Sequence, residues 1–137
     1  MDLGAQDALV EHFFRITQQE RQFIQHQLKQ VHLNIMQAQA LNFVATHPGA
    51  MQKAVSQYLG KPEATVTNIL KVLEGRQLLV RRVAVANERR KQLYLTPEGQ
   101  TLVQTIRAVF VDLERRISAP LTPAEQQTLL TLLTRID

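Results

Sequence analysis

The sequence of 137 residues contains no cysteine. Disulfide bonds, thiolate zinc sites, iron–sulfur clusters and cysteine-based oxidation sensing are therefore excluded. Serine is also scarce: Ser56 and Ser118 are the two serines of the chain, and neither lies in a nucleophile elbow. A glycine-rich phosphate loop is missing as well. These absences indicate that the protein is not an enzyme.

Long apolar runs are missing too. No run approaches the roughly 20 residues that a membrane-spanning helix needs. Residues 1–11 carry three acidic residues and no basic one, which is unlike a secretory signal. The apolar fraction of 45% and the charged fraction of 20% are typical of a folded domain. We therefore expect a soluble, cytoplasmic protein that has no membrane partner.

Histidine occurs four times, but without a metal-binding pattern. The four residues form neither an i,i+4 pair nor a His-Glu-x-x-His motif. They are His12, His26, His32 and His47. We expect no metal ion and no cofactor.

Positive charge is concentrated between residues 61 and 100. That stretch holds eight basic and four acidic residues, so it accounts for the whole formal net charge of +4. The basic residues are Lys61, Lys71, Arg76, Arg81, Arg82, Arg89, Arg90 and Lys91. Charge confined to one segment is typical of a surface that contacts nucleic acid phosphates, although a solvated basic face would look the same.

The spacing of apolar residues and the capping signals predict six helices and one β-hairpin. The helices are expected at 5–30, 34–47, 51–59, 62–74, 96–118 and from 122 onward. Their start signals are Asn34 with Gln37, Pro62, Thr96 with Pro97, and Thr122 with Glu125. Between the fourth and fifth helices, residues 78–85 and 93–96 have the composition of strands, and the polar residues 87–90 form the expected hairpin tip.

This order of elements predicts a mainly α fold with a small β-wing. A winged helix-turn-helix domain at 33–100 is flanked by an N-terminal dimerisation helix at 1–32 and by C-terminal dimerisation helices at 101–137. The terminal helices carry more Leu, Ile and Phe than a small domain can cover, so we expect a homodimer. The alternative is that these helices fold back onto their own domain. The expected dimer contacts are Leu9, Phe13, Ile117, Leu129, Leu132, Leu133 and Ile136.

The second helix of a helix-turn-helix enters the major groove of double-stranded DNA, where base edges present distinctive donors and acceptors. In helix 62–74, Thr65 and Thr67 can exchange hydrogen bonds with bases. Asn68 can bind adenine through two hydrogen bonds, and Lys71 can reach guanine or a phosphate. The alternatives are that Thr67 faces the partner helix and that Lys71 is solvated.

The expected wing carries the remaining candidate contacts. An arginine at a hairpin tip can enter the narrow, strongly negative minor groove of A·T-rich DNA, and Arg89 and Arg90 are placed for this. Arg81, Arg82 and Lys91 are expected to pair with backbone phosphates, which add affinity without sequence information.

Residues 55–59 (VSQYL) followed by 64–74 (ATVTNILKVLE) resemble the helix-turn-helix of the MarR family of bacterial regulators. Residues 78–82 (LLVRR) and 95–99 (LTPEG) are similar to the sequences at which that family's wing begins and ends. The resemblance covers essentially the whole chain. It implies a homodimeric transcription factor, usually a repressor, on a palindromic operator. It also implies an effector, bound between the dimer helices and the reading domain, that weakens DNA binding.

One departure from the family concerns the wing. Where the family often has Asp-x-Arg, this chain has Asn87-Glu88-Arg89. Asn87 can still accept a hydrogen bond from Arg89, but a neutral acceptor makes a weaker bond than a carboxylate. The resemblance therefore carries the minor-groove contact over to Arg89 with a weaker support for its position.

Two other functions are compatible with the same residues. A winged-helix module could use its basic face to meet an acidic protein rather than DNA, and the salt dependence of DNA binding separates these possibilities. The other possible function is that of a small-molecule binding protein with vestigial DNA affinity. If an effector exists, a pocket lined by Phe, Leu and Ile favours an apolar or aromatic compound, although the same residues serve as core.

Overall fold

A computed structural model describes the backbone of residues 8–84 and 87–137, and all of their side chains except those of residues 84 and 87–90. The elements in chain order are α1 (Leu9–Lys29), α2 (Ile35–Thr46), β1 (Ala50–Met51), α3 (Gln52–Leu59), α4 (Glu63–Gly75), β2 (Leu79–Ala84), β3 (Asn87–Leu95), α5 (Pro97–Ser118) and α6 (Pro123–Leu133). The strands form one antiparallel sheet in the order β1-β3-β2. The prediction of a mainly α fold with a small β-wing is confirmed. None of the helices in the described ranges combines the length and apolarity needed to cross a membrane.

Side-chain caps at three helix starts agree with the sequence signals. Asn34 and Gln37 form a capping box: the N–H of Gln37 donates to Asn34 Oδ1 at 2.8 Å. Thr122 and Glu125 form a second box at the start of α6. The backbone N–H of Thr122 donates to the Glu125 carboxylate, and this lowers the pKa of Glu125 below its ordinary value. Thr96 caps α5 by accepting from the N–H of Gly99 at 3.0 Å.

The hydrophobic core lies between the helix-turn-helix, the sheet and the adjoining halves of α1 and α5. Its fully buried side chains come from every element except β1 and α6, which shows that the wing strands are anchored in the same core as the helices. The largest are Leu28, Leu41, Leu70, Leu73, Leu79, Leu93, Val44, Val55, Val66 and Val103.

The start of α5 is locked against the base of the wing. The N–H of Thr96 donates to the carbonyl oxygen of Leu78 at 3.1 Å, and Thr96 Oγ1 donates to the carbonyl oxygen of Gln77 at 2.7 Å. A Cβ atom at Gly99 would lie 2.0 Å from the carbonyl oxygen of Leu78, which is closer than any side chain tolerates. Glycine at this position therefore allows α5 to approach the wing.

Two features of the sheet differ from the prediction. Residues 87–90, expected as the hairpin tip, form the first part of β3, which runs from Asn87 to Leu95; Val85, expected in the preceding strand, lies outside the described residues. Residues 87–90 are all polar or charged and give no alternating apolar signal, so the length of β3 was missed. Strand β1 was not predicted, because two residues become a strand solely by pairing with β3.

Candidate nucleic-acid interface

Helices α3 and α4 form a helix-turn-helix closed by Gly60. Gly60 has φ of +64°, a left-handed conformation that glycine adopts at little cost. The N–H of Lys61 then donates to the carbonyl oxygen of Ser56 at 3.2 Å and satisfies the end of α3. Helix α4 starts one residue after Pro62, which occupies the N-cap position. The turn fixes how α4 crosses α3.

One side of α4 is buried and the opposite side is exposed. The buried residues are Val66, Ile69, Leu70 and Leu73. Ala64, Asn68 and Val72 are exposed and follow one another at intervals of four residues, so they form one line along the solvent side. Lys71 is exposed beside this line, and Thr65 is half-buried near the start of the helix. An amide flanked by apolar methyl groups is therefore presented to the solvent.

Thr67 belongs to the interior side of the reading helix. Its Oγ1 accepts a hydrogen bond from Gln52 Nε2 at 2.6 Å and donates to the carbonyl oxygen of Glu63 at 2.8 Å. The alternative in which Thr67 faces the partner helix is therefore the arrangement observed. Its hydroxyl makes both of these hydrogen bonds within the protein, and a contact of Thr67 with a base stays a prediction.

Arg81 is also held within the protein. Its Nε pairs with Glu74 Oε1, and its Nη1 donates to Gln52 Oε1 at 3.2 Å. The Arg81 side chain is 20% exposed. Because the guanidinium already has a carboxylate and an amide as partners, Arg81 does not join the other basic side chains that face solvent. The phosphate contact expected of Arg81 stays a prediction.

The neighbouring residue Arg82 points to the other face of β2, as the alternation of side chains along a strand requires. Arg82 is exposed, and its guanidinium carbon lies 5.3 Å from the centre of the Tyr94 ring. Lys91 is exposed on β3, where it is paired with Val83 of β2. The wing therefore brings Arg82 and Lys91 to its surface.

Arg89 and Arg90 lie on β3, near the end of the wing that is remote from the core. Their expected position between two strands is corrected, since their backbone belongs to the strand itself. The side chains of Arg89 and Arg90 lie outside the described part of the structure. The same holds for the Asn87 side chain, which was expected to orient Arg89.

The basic segment contains one further arginine with a structural role. Arg76 Nη1 donates to the carbonyl oxygen of His32 at 2.7 Å, and Nη2 donates to that of Val31 at 3.0 Å. These bonds tie the end of α4 to the connection between α1 and α2. Part of the charge concentration thus arises from a residue that braces the fold.

Sequence reasoning missed several residues on or behind this surface. Ala64 and Val72 could have been found, because they lie opposite the buried side of α4 on a helical wheel. Lys53 is exposed on α3 but lies before the basic segment. Gln52 gives no local signal, since its partners Thr67 and Arg81 are 15 and 29 residues away in sequence.

The terminal helices expose an apolar surface. Within the described part of the chain, α6 buries none of its residues. The alternative in which α6 folds back onto its own domain is therefore not the arrangement observed. Leu133 is half-buried, and the other expected dimer residues are exposed; these are Leu9, Phe13, Ile117, Leu129, Leu132 and Ile136.

A groove of about 540 Å³ lies between α2 and α5, and Tyr58 of α3 also lines it. Its apolar lining comes from Tyr58 on α3 and from Ile106 and Phe110 on α5. Arg107 and Asn42 add polar groups, with Arg107 Nε donating to Asn42 Oδ1 at 3.3 Å. Among the described residues, His, Asp and Glu do not gather in groups of three that could hold a metal ion.

These features define a winged-helix DNA-binding protein: an exposed reading helix supported by a buried face, beside a wing with basic side chains on its surface. The sequence model of the MarR family matches residues 33–91. A protein of Thauera aromatica, whose assigned role is transcriptional regulation of the hcr operon, is 29% identical over 96 residues. The match covers 70% of this chain and 58% of that relative.

Solved structures of MarR-type regulators have the same fold. MepR of Staphylococcus aureus, a transcription regulator of the multidrug efflux pump MepA, is 26% identical, with a TM-score of 0.84 over 94% of this chain and 96% of MepR. A MepR variant bound to an oligodeoxyribonucleotide is 26% identical, with a TM-score of 0.70 over 95% of this chain and 96% of that chain. The chain is therefore similar to MarR-family transcriptional regulators in the sequence of residues 33–91 and in its fold.

Proposed function

We propose that the chain is a homodimeric transcriptional repressor that binds a palindromic operator and releases it when an effector binds. The observation that carries the proposal is the exposed line of Ala64, Asn68 and Val72 on α4, next to a wing whose Arg82 and Lys91 face solvent. The MepR variant that binds an oligodeoxyribonucleotide has this same fold, which supports DNA as the partner.

In the proposed complex, α4 lies in the major groove. In one orientation, the amide of Asn68 can donate a hydrogen bond to N7 of adenine and accept one from the N6 amino group. Asn68 therefore favours an A·T pair at a fixed position along the groove. The methyl groups of Ala64 and Val72 are placed to contact thymine methyls on either side. Lys71 contacts a phosphate, and the hydroxyl of Thr65 exchanges a hydrogen bond with a base. Thr67 positions the helix without touching DNA.

The wing contacts the adjacent backbone and minor groove. Arg82 and Lys91 pair with phosphates, because both are exposed on the same ribbon. Arg89 is the minor-groove contact that we propose, with Arg90 beside it and Asn87 supporting it. Our proposal leaves out Arg81, which pairs with Glu74.

Dimerisation follows from the exposed apolar residues of the terminal helices. Residues 1–32 and 101–137 supply the interface in our proposal, and residues 33–100 form the reading domain. Full burial of one Leu or Ile side chain is worth about 1.5–3 kcal/mol, so several such residues on α6 favour association. A two-fold dimer then presents two reading helices about 34–36 Å apart, which matches successive major grooves on one side of the duplex.

The groove between α2 and α5, which Tyr58 of α3 also lines, is the proposed effector site. Ile106, Phe110 and Tyr58 favour an apolar or aromatic compound, and Arg107 with Asn42 can hold a polar substituent. Because Tyr58 lies on α3 while Phe110 lies on α5, a ligand in the groove separates the reading domain from the dimer helices. That separation changes the spacing of the two α4 helices and lowers operator affinity.

The experiment that tests the proposal is fluorescence anisotropy with duplex DNA from upstream of the protein's own gene. The measurement is repeated across a salt series and with unrelated DNA as competitor. A repressor of this kind binds tightly in the presence of competitor, and the logarithm of its affinity falls by about 0.9 per phosphate contact for each tenfold rise in salt. Equal binding to both DNAs, or none, would favour the module that meets an acidic protein.

A further inference from the structure

We propose that Gln52 is a positioning residue that fixes the direction of the wing relative to the reading helix. The inference rests on the proposed function only in its consequence, that helix and wing bind one DNA site together. The direction of the wing relative to α4 is a property of the free protein and can be tested without DNA.

The amide of Gln52 is the central member of a chain of hydrogen bonds from the wing to α4. On the wing side, Arg81 Nη1 donates to Gln52 Oε1 at 3.2 Å. On the helix side, Gln52 Nε2 donates to Thr67 Oγ1 at 2.6 Å and to the carbonyl oxygen of Glu63 at 3.2 Å. Gln52 therefore accepts from one element and donates to the other.

This double use selects the glutamine side chain chemically. A glutamate can accept from Arg81 but has no N–H to donate to the carbonyl oxygen of Glu63, and a lysine can donate but cannot accept. An amide has both capacities at one end of a side chain. Gln52 is half-buried, as are Thr67 and Arg81, so water competes only partly for these bonds.

A second contact turns this link into a brace. Arg81 Nε pairs with Glu74, which lies in the last turn of α4, while Gln52 reaches Glu63 at the first residue of that helix. These two attachment points are eleven residues apart, which corresponds to about 16 Å along an α-helix. One contact would fix only the distance between the wing and α4, but two contacts at opposite ends of α4 also fix the direction of the wing relative to that helix.

The wing needs such a brace because its outer part is a two-stranded ribbon. Strand β1 pairs with β3 only at Ala50 with Leu93 and at Met51 with Gln92. Beyond that point β2 and β3 pair with no third strand among the described residues, and isolated two-stranded ribbons are marginally stable and strongly twisted. Arg81 is paired with Leu93, so the brace grips β2 at the edge of the three-stranded region.

The test uses the absence of cysteine from the chain. Val83→Cys and Lys71→Cys introduce one spin label on the wing and one on α4, both at exposed positions. Pulsed electron paramagnetic resonance then gives the distribution of wing-to-helix distances. Dilution with unlabelled protein restricts the measurement to label pairs within one chain.

We expect one narrow distribution in the otherwise unchanged protein and a distribution at least about twice as wide after Gln52→Ala. Gln52→Glu and Thr67→Val give the same broadening with little change of shape, because the first removes the N–H that donates to the carbonyl oxygen of Glu63 and the second removes the hydroxyl that accepts from Gln52. Gln57→Ala, at an exposed position of the same helix, is the control and leaves the distribution narrow. Distributions as narrow for all three test variants as for the control would overturn the proposal.

A DNA measurement separates positioning from general stability. An operator is first selected from a random pool of duplexes. Affinity is then compared for two versions of it, which differ only in having A·T or G·C pairs where the wing meets the minor groove. Gln52→Ala is expected to reduce the preference for A·T flanks several-fold toward equal binding. Equal weakening on both duplexes, with the preference retained, indicates a merely structural role and counts against positioning. If the unchanged protein has no flank preference, the proposed minor-groove contact fails, and the spin-label distances decide the brace.

Discussion

Asn68 is the residue of the exposed line on α4 that can form specific hydrogen bonds with a base edge. Replacing Asn68 by alanine removes both its donor and its acceptor while helix propensity is retained. We expect Asn68→Ala to weaken binding to a selected operator by about 1–3 kcal/mol. Binding to unrelated DNA, which depends on phosphate contacts, should change little. Competition anisotropy with both duplexes measures the difference, and equal weakening on both would contradict base recognition by Asn68.

Arg89 is the proposed minor-groove contact of the wing. Arg89→Ala removes a charge from β3 and is expected to cost about 1–3 kcal/mol of operator affinity. Arg115→Ala is the matched control, because it removes the same charge from an exposed side chain of α5. Titration of both variants at one salt concentration gives the comparison. Unchanged operator affinity of Arg89→Ala would remove Arg89 from the interface.

The different roles of Arg81 and Arg82 illustrate what residue patterns alone can predict. A strand places neighbouring side chains on opposite faces, so the sequence does predict that one of the two turns toward the protein. Which one does so depends on Glu74 and Gln52, which belong to other helices. The sequence therefore predicts a basic cluster, but tertiary partners decide which of these two arginines is held within the protein.

At the scale of elements, Gly99 controls the junction between the wing and α5. A methyl group at this position would overlap the carbonyl oxygen of Leu78, which belongs to the backbone and cannot rotate away. We expect Gly99→Ala to lower the free energy of unfolding by about 1–3 kcal/mol, as overpacking does. Urea denaturation followed by circular dichroism measures the change.

Gly75 provides the matched control for this substitution. It ends α4, and no heavy atom lies within 4 Å of the position that a Cβ would occupy. Gly75→Ala is therefore expected to leave stability unchanged or to raise it by up to about 1 kcal/mol, because alanine loses less backbone entropy on folding. Equal destabilisation by the two substitutions would contradict the close approach at Gly99.

The accuracy of the predicted elements depended on how local their determinants are. The capping boxes of α2 and α6 were predicted because all of their bonds join residues three apart in sequence. Strand β1 depends on Leu93 and Gln92, more than 40 residues further along the chain. No pattern within residues 50–51 announces that pairing, so a strand of this kind emerges only in the folded chain.

At the scale of the whole molecule, the exposed surface of α6 should decide the oligomeric state. Leu132→Asp places a charge in the proposed interface, and two-fold symmetry makes each substitution act twice. We expect a loss of about 3–6 kcal/mol of dimer stability, which raises the dimer dissociation constant by at least about 100-fold. Analytical ultracentrifugation should then detect a species near the chain mass of 15.6 kDa.

Gln127→Asp is the control for the dimer experiment. It adds the same charge to an exposed polar position of α6 and should leave a dimer. Operator affinity should fall in Leu132→Asp but not in Gln127→Asp, because a monomer reaches only one half-site. A Leu132→Asp protein that sediments like the control would place the dimer interface elsewhere.

The overall architecture was the most predictable level, because the order of helices and strands limits the folds that a short chain can adopt. The excess of Leu, Ile and Phe in the terminal helices predicted an uncovered surface, because a small domain cannot bury so many apolar side chains. The groove beside Tyr58 and Phe110 had no sequence signal, since apolar residues that line a groove and those that fill a core have the same composition.

The tight junction at Thr96 gives the long helix α5 the mechanics of a lever. Strand β3 ends at Leu95 and α5 begins at Pro97, so a single residue connects them. The 22 residues of α5 extend over about 33 Å, and tilting such a rod by roughly 10° about its far end moves the near end by about 6 Å. Because Thr96 and Gly99 leave no slack at that end, the motion passes to the wing almost undiminished. A small rotation of the terminal helices is thereby converted into a displacement of the wing comparable to the width of a minor groove.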